Sequence, residues 1–164
     1  MLLRKFSVIA LVAMAIGVFS ANANAQASAT QSANINALIN NPIALTKNAD
    51  LDFGSAAPST GATTVVVSPA GAVSGDAIGK AGSPAAADFT VTGLANQSYA
   101  ITLPASATLS DGGNTMTVNG FNDDATNVLT GGSETFGVGA TLNIGANQAA
   151  GTYSGTFDVT VAYN

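Results

Sequence analysis

The stretch Gly151-Thr-Tyr-Ser-Gly-Thr-Phe-Asp-Val-Thr-Val-Ala-Tyr-Asn164 decides the fold class, because it alternates between two kinds of residue. Odd positions from 153 to 163 carry aromatic, β-branched or glycine residues, whereas even positions carry Thr, Ser, Asp and Ala. Successive side chains of a strand point to opposite faces, so this period of two predicts one long β-strand with one face in a core. Tyr153 and Phe157 are therefore expected in the core and not in an exposed ligand-binding stripe.

This C-terminal strand is also expected to have an exposed backbone edge. The sequence ends one residue after Tyr163 and supplies no following segment to cover that edge. A strand from another molecule is one way to cover it.

Shorter β patterns fill the rest of the chain. Expected strands are 43–47, 51–53, 63–68, 88–93, 98–104, 108–110, 115–121 and 134–145. The runs 88–93 and 98–104 are expected to pair as a hairpin, and Asp111-Gly-Gly-Asn114 indicates the turn of a second hairpin. Residues 70–87 and 122–132 are predicted loops. The sequence thus predicts an all-β fold, an immunoglobulin-like antiparallel β-sandwich of about 7–9 strands, with helix confined to the leader.

The N-terminus has the layout of a secretory signal peptide. Arg4 and Lys5 precede an apolar run over 6–19, and Ala21-Asn-Ala-Asn-Ala25 supplies small residues for cleavage. Cleavage is expected after Ala25, with Ala23 as the alternative site and an uncleaved membrane anchor as the less favoured interpretation. The predicted organisation is a signal peptide over 1–25, an N-terminal arm over 26–41 and one β-sandwich domain over 42–164.

Charge and composition limit the partners of the exported chain. Removal of residues 1–25 leaves two lysines against nine carboxylates, a net charge of −7. Such a chain is expected to repel nucleic acid and anionic lipid, and no second stretch predicts membrane insertion after cleavage. Cysteine is absent, so stability must come from a core or from assembly without disulfides.

The arm has a weak alternation of its own. Apolar residues recur at the odd positions Ala27, Ala29, Ala33, Ile35, Ala37 and Ile39, and Gln31 interrupts the series. This pattern fits either an ordinary first strand or a flexible arm that becomes a strand only when it is paired. Asn40-Asn-Pro42 predicts a break after it.

The residue types argue against catalysis. Histidine and cysteine are absent, and the single arginine lies in the leader, so the usual proton shuttles, thiolate nucleophiles and transition-metal ligands are missing. A Ser–Lys pair with Lys47 or Lys80 has no supporting motif, and Ala81 stands where a phosphate loop needs Ser or Thr. No enzyme activity, catalytic residue, cofactor or metal is expected. Calcium binding by the Asp111 and Asp123-Asp124 loops stays open, although ordinary turns use the same residues.

Two sets of residues resemble known protein families. Ile43-Ala-Leu-Thr-Lys-Asn-Ala-Asp-Leu-Asp-Phe-Gly54 and Thr117-Val-Asn-Gly-Phe121 resemble a family of small secreted proteins of Gram-negative bacteria known as domain of unknown function 4402. This resemblance implies a secreted β domain and names no activity. Gly151, the series Phe157, Val159 and Val161, and Tyr163 resemble the C-terminal signature of pilus subunits assembled by the chaperone–usher pathway.

The pilus resemblance implies an assembly mechanism. In that family a chaperone lends a strand beside the C-terminal one, and the arm of the next subunit then replaces it. Carried over to this chain, the resemblance implies a groove beside the C-terminal strand. The arm residues that would fill this groove are Ala29, Ala33, Ile35, Ala37 and Ile39. The residues that would form its edge are Gly151, Phe157, Val159, Val161 and Tyr163. Many such subunits have a disulfide, which this chain lacks.

The expected function is therefore that of a structural, pilin-like subunit of a bacterial surface filament, or fimbrium. Its expected partners are like subunits, a periplasmic chaperone and an outer-membrane usher, and its expected route is through the periplasm to the cell surface. The alternative is a self-contained secreted or periplasmic β-sandwich domain for binding or adhesion, with residues 26–39 paired in its own sheet. The receptor and a shaft or tip role are left open.

Overall fold

The computed structural model describes residues 28–39, 41–76 and 82–164. The predicted signal peptide and Lys80 lie outside the described residues. Nine strands belong to one compact unit, Leu38–Asn164, and every strand pair is antiparallel. The all-β antiparallel sandwich class is confirmed. Among the described residues, no helix has the length and apolar character needed to cross a membrane.

The strands are short, with one exception. They are β1 (Ala44–Ala49), β2 (Thr63–Val67), β3 (Val73–Ser74), β4 (Ala87–Thr92), β5 (Tyr99–Thr102), β6 (Ser106–Ser110), β7 (Thr115–Asp123), β8 (Ser133–Ile144) and β9 (Thr160–Tyr163). A single 3-10 turn at Thr130–Gly132 precedes β8.

The 12-residue strand β8 organises the larger sheet. Along one edge it pairs first with β4, where Phe136 lies opposite Phe89, and then with β2, where Leu142 lies opposite Val65. Its other edge pairs with β7, which puts Val118 opposite Leu142. With β1 beside β4, β3 beside β2 and β6 beside β7, these pairs make a seven-stranded sheet. Strands β5 and β9 form a separate two-stranded sheet.

The core follows the alternation of β8. Its even-numbered side chains from Phe136 to Ile144 are buried. They divide between two apolar clusters. The first cluster contains Val65, Val67, Val118 and the C-terminal half of β8. The second contains β4, Tyr99, Leu129 and the N-terminal half of β8, and the half-buried side chains of β9 pack against it.

The C-terminal strand is shorter than the sequence predicts. Hydrogen-bonded pairing covers only β9, and one further bridge joins Ser154 to Ser110 of β6. The register that pairs Thr160 with Thr102 would place Asp158 opposite Pro104, which has no N–H to continue the ladder. The alternation of exposure nevertheless persists, since odd residues such as Tyr153 and Phe157 are half-buried and even residues are exposed. Tyr153 and Phe157 therefore face inward without being fully buried.

The predicted hairpin between 88–93 and 98–104 is wrong. Both edges of β4 are occupied by β1 and β8, so the chain crosses to the other layer and β5 pairs with β9. In the crossing, Asn96 adopts a φ of 62° and its N–H donates to the Leu129 carbonyl at 2.7 Å. The second hairpin is confirmed as β6 and β7. Residues 51–53 form only a bridge at Asp52, and the predicted loop 70–87 contains β3.

Substitution of Leu129 tests how much the second cluster contributes to stability. The side chain of Leu129 is 0% exposed, although the residue lies just before a 3-10 turn and outside every strand. Leu129→Ala should lower the free energy of unfolding by about 2–5 kcal/mol through lost burial and a residual cavity. The neighbouring Val128 is 39% exposed, so Val128→Ala should change the free energy of unfolding by less than about 0.5 kcal/mol. Urea denaturation of both variants measures the difference. Equal effects would contradict the described core.

Candidate strand-binding groove

An apolar groove of about 740 Å³ lies between two segments, residues 47–58, which include the end of β1, and residues 148–157, which lie outside the named strands. Its floor is built from side chains of both clusters. They include Phe89, Leu109, Met116, Val118, Phe121 and Leu142. We call this cavity, with its two segments as walls, the groove.

The groove lies where the described strands form a single layer of the sandwich. The sheet of β5 and β9 covers the second cluster, and no regular strand of the described chain covers the first. Over the first cluster, the wall at 47–58 contributes Phe53 and Leu51 to the packing. The half-sandwich next to it is well packed: the ring of Phe157 lies 5.0 Å from that of Phe121 and 6.3 Å from that of Phe89. Phe157 therefore marks the end of the groove nearest β9.

Each side of the groove continues a strand with a free edge. β1 pairs with β4 on one edge and stands at the margin of its sheet. On the opposite side, Asn164 donates to Ser98 and Ser154 exchanges two hydrogen bonds with Ser110, so even-numbered residues turn their backbone groups towards β5 and β6. The odd-numbered residues from 155 to 161 turn theirs to the other edge. Within the described chain, no strand pairs with that edge.

A polar network holds the wall formed by residues 148–157. The Gln148 amide donates to the Tyr153 hydroxyl at 2.8 Å, and that hydroxyl donates to the Ala149 carbonyl at 2.9 Å. Gly155 lets the wall approach β6, because a Cβ there would lie 2.3 Å from the Thr108 carbonyl oxygen. The wall is thus positioned by side chains and close packing, with one bridge to β6.

Asp111 closes the β6–β7 turn beside this wall. Its Oδ1 accepts from the backbone N–H groups of Asn114 at 2.6 Å and Gly113 at 2.9 Å. These hydrogen bonds lower the pKa of Asp111 from 3.8 to about 2, and the bond from Asn114 has the largest effect. Gly151 is exposed and packs against the turn, since a Cβ at this position would lie 2.9 Å from Oδ2 of Asp111.

Beyond the end of the groove that Phe157 marks, hydrogen bonds hold together the start of β1 and the end of β9. The N–H of Leu94 donates to the Tyr163 hydroxyl at 2.6 Å, and this hydroxyl donates to the Asn41 carbonyl at 3.0 Å. Gly93 makes the contact possible, because a Cβ there would lie 2.2 Å from the hydroxyl oxygen. We call these two hydrogen bonds the Tyr163 clasp. They join the N-terminal entry into the domain to the C-terminal strand.

The sequence-predicted edge residues lie along this side of the molecule. Phe157, Val159, Val161 and Tyr163 are half-buried and pack against the second cluster, and Phe157 also lines the groove. The arm residues Ala29, Ala33, Ile35, Ala37 and Ile39 are all exposed, and the described residues 28–39 form no strand.

Sequence reasoning missed Leu38 and the wall over 47–58. Leu38 is 83% exposed, beside Ile35 at 95% and Ile39 at 92%. It fell outside the odd-numbered alternation, and its size was the signal that could have found it. The wall has no periodic pattern because it is largely irregular, so only the tertiary structure places it opposite residues 148–157.

Asp123 and Asp124 accept hydrogen bonds from the backbone. Oδ1 of Asp123 accepts from the Ala125 N–H at 3.1 Å, and Oδ1 of Asp124 accepts from the Gly137 N–H at 2.7 Å. Among the described residues, no group of three metal-ligating side chains occurs.

Tyr99 and Glu134 form a polar pair beneath the β5–β9 sheet, with a hydrogen bond of 2.8 Å from the hydroxyl to the carboxylate. Burial raises the pKa of Tyr99 far above its usual range, and the hydrogen bond to Glu134 raises it further. Burial acts to raise the pKa of Glu134, but hydrogen bonds from Thr126 and Tyr99 outweigh it and lower that pKa. Neither side chain lines the groove. The pair fastens the segment around Thr126 to β8.

The Asp111 turn predicts a pH dependence of stability. Because its folded-state pKa is depressed, the carboxylate contributes stability that is complete above its ordinary pKa of 3.8 and is lost as pH falls towards about 2. Asp111→Asn should lower the melting temperature by a few degrees at pH 6, and the gap to the unmodified protein should shrink between pH 4 and pH 2. Thermal melts across this range give the answer. A gap that stays constant with pH would contradict the assignment.

The comparison with protein families gives one match. The model of the domain of unknown function DUF4402 matches residues 43–163. This range contains all nine strands and the groove, and it begins after the arm. The comparisons with curated proteins and with solved structures found no match.

Proposed function

We propose that the chain, which belongs to the DUF4402 family, is the structural subunit of a bacterial surface filament and assembles by exchange of β-strands. The observation that carries the proposal is a groove lined by apolar side chains and flanked by two free strand edges. A second observation supports the proposal: the arm forms no strand over its described residues 28–39, and it exposes Ile35, Leu38 and Ile39. The groove needs a strand to cover it, and the arm needs a sheet edge and an apolar surface to pair with.

A strand in the groove would satisfy two physical requirements at once. Its backbone would complete the hydrogen bonds of the free edges, and its inward side chains would cover the first cluster. Complete burial of Ile35 and Ile39 would contribute about 1.5–3 kcal/mol each. The 12 described residues 28–39 would span about 40 Å as a strand at about 3.3 Å per residue, which equals the length of the 12-residue β8.

The proposal includes a route and accessory partners. The chain is exported by the leader over 1–25 into the periplasm and reaches the cell surface as part of the filament. Free strand edges beside an apolar groove promote aggregation, so a subunit in transit needs a temporary strand from a chaperone before an outer-membrane usher adds it to the filament.

The second candidate is a self-contained secreted binding or adhesion domain. A concave apolar cavity of about 740 Å³ falls within the size range of small-molecule sites, about 300–1,000 Å³. In this case the groove takes an apolar ligand, and the chain stays monomeric.

Assembly state separates the two candidates. Protein exported by its own cells should elute from size-exclusion chromatography as a series of multimers and show filaments by negative-stain electron microscopy. Cells lacking the gene supply the control for the images. A stable monomer that needs no partner strand would refute the filament proposal.

A matched pair of arm variants tests strand exchange. Ile35→Asp places a carboxylate where the proposal needs an apolar anchor, so assembly should be lost or reduced at least tenfold. Ala29→Asp introduces the same charge at a residue that buries little area, so its effect should be much smaller. Sedimentation of the multimers measures both. Equal assembly by the two variants would show that alternate arm residues do not enter a groove.

A further inference from the structure

We infer that the Tyr163 clasp makes strand donation intermolecular, because it keeps each arm out of the groove of its own copy. The inference rests on the proposed filament function and names the partner of the groove, the arm of a second copy. It also gives the assembly a direction.

We call Asn41, where the arm joins the domain, the arm root. The arm root and the groove lie at opposite ends of β1. The chain enters the domain at Asn41, beside Tyr163 and Leu94. The groove has no lining residue from β1 before Lys47 and none from the C-terminal segment after Phe157. A copy therefore presents its arm root at the end of β1 that the clasp holds and its acceptor site at the other end of β1.

The space between those ends is filled. β1 and β9 lie in contact, and within the described chain they share no ladder. Ile43 and Leu45 on one side, and Val159 and Val161 on the other, pack against the second cluster. A strand inserted there would have to lie about 4.8 Å from each neighbour, which separates β1 and β9 by about 9–10 Å. The clasp opposes this separation, since the Tyr163 hydroxyl is bonded to Asn41 at the start of one side.

An arm that reversed at Asn41 to enter its own groove would therefore have to break the clasp and part the two strands. The arm of a second copy needs neither step, because the groove is accessible beyond Lys47 and Phe157. Donation from one end to the other is a heterologous contact that does not close on itself, and such contacts generate open filaments.

The clasp can be removed without removing the aromatic ring. Tyr163→Phe keeps the ring on the second cluster and loses both hydrogen bonds. Gly93→Ala displaces the hydroxyl from the other side, since the new methyl group would stand 2.2 Å from it, and Gly93 is not among the positive-φ glycines of the described chain. Tyr99→Phe is the control, because it also removes a tyrosine hydroxyl and its hydrogen bond, here to Glu134, while Tyr99 belongs neither to the groove nor to the clasp.

With the full exported chain, both clasp variants should lose multimers and yield monomers whose arms resist protease. Their monomer fraction should stay unchanged over a tenfold dilution, because insertion within one copy does not depend on concentration. Tyr99→Phe should assemble as the unmodified protein does.

The outcomes separate this inference from the function on which it rests. Clasp variants that assemble normally overturn the inference and leave the filament proposal standing. Monomers with protease-sensitive arms overturn it too, because the arm has then not entered its own groove. If the unmodified protein is itself a monomer, the proposed function fails.

Discussion

The inner face of the seven-stranded sheet must be kept from water, and this requirement organises the rest of the structure. β8 runs through both halves of the sheet and places its even-numbered side chains in two apolar clusters. A sandwich buries such a face under a second layer of strands. Here β5 and β9 cover only the second cluster, and irregular segments leave the groove of about 740 Å³ over the first. The proposed function follows from that incomplete cover.

Backbone hydrogen bonding imposes a related constraint. β1 and the C-terminal segment each direct backbone N–H and C=O groups to one side, and within the described chain no strand pairs with either of them there. Pro104 contributes, because the β5–β9 ladder stops where it would need a donor from proline. The wall at 148–157 is therefore held by the Gln148 and Tyr153 side chains and by the turn around Asp111. A wall positioned in this way keeps its outer edge free for another strand.

The two ends of the domain differ in chemistry. At one end, the Tyr163 hydroxyl is bonded to Leu94 and Asn41, and Gly93 leaves room for it. At the other, loops of small residues flank an apolar floor. This asymmetry fits an assembly with a direction, in which one copy gives a strand from the end that the clasp holds and receives one in its groove.

Sequence alone determined which faces are apolar. The alternation of β8 and of residues 153–163 reports side-chain direction, which depends only on local strand geometry, so the all-β class and the inward face of the C-terminal segment were predictable. The hairpin of β6 and β7 was predictable for the same reason, since Asp111-Gly-Gly-Asn114 is a local turn. Tertiary structure decided which strands pair. β4 and β5 are adjacent in sequence yet lie in different sheets, because the edges of β4 were taken by β1 and β8. It also decided where the groove lies, because the groove is formed by segments about a hundred residues apart in the chain, such as 47–58 and 148–157, and no local pattern records that these segments face each other.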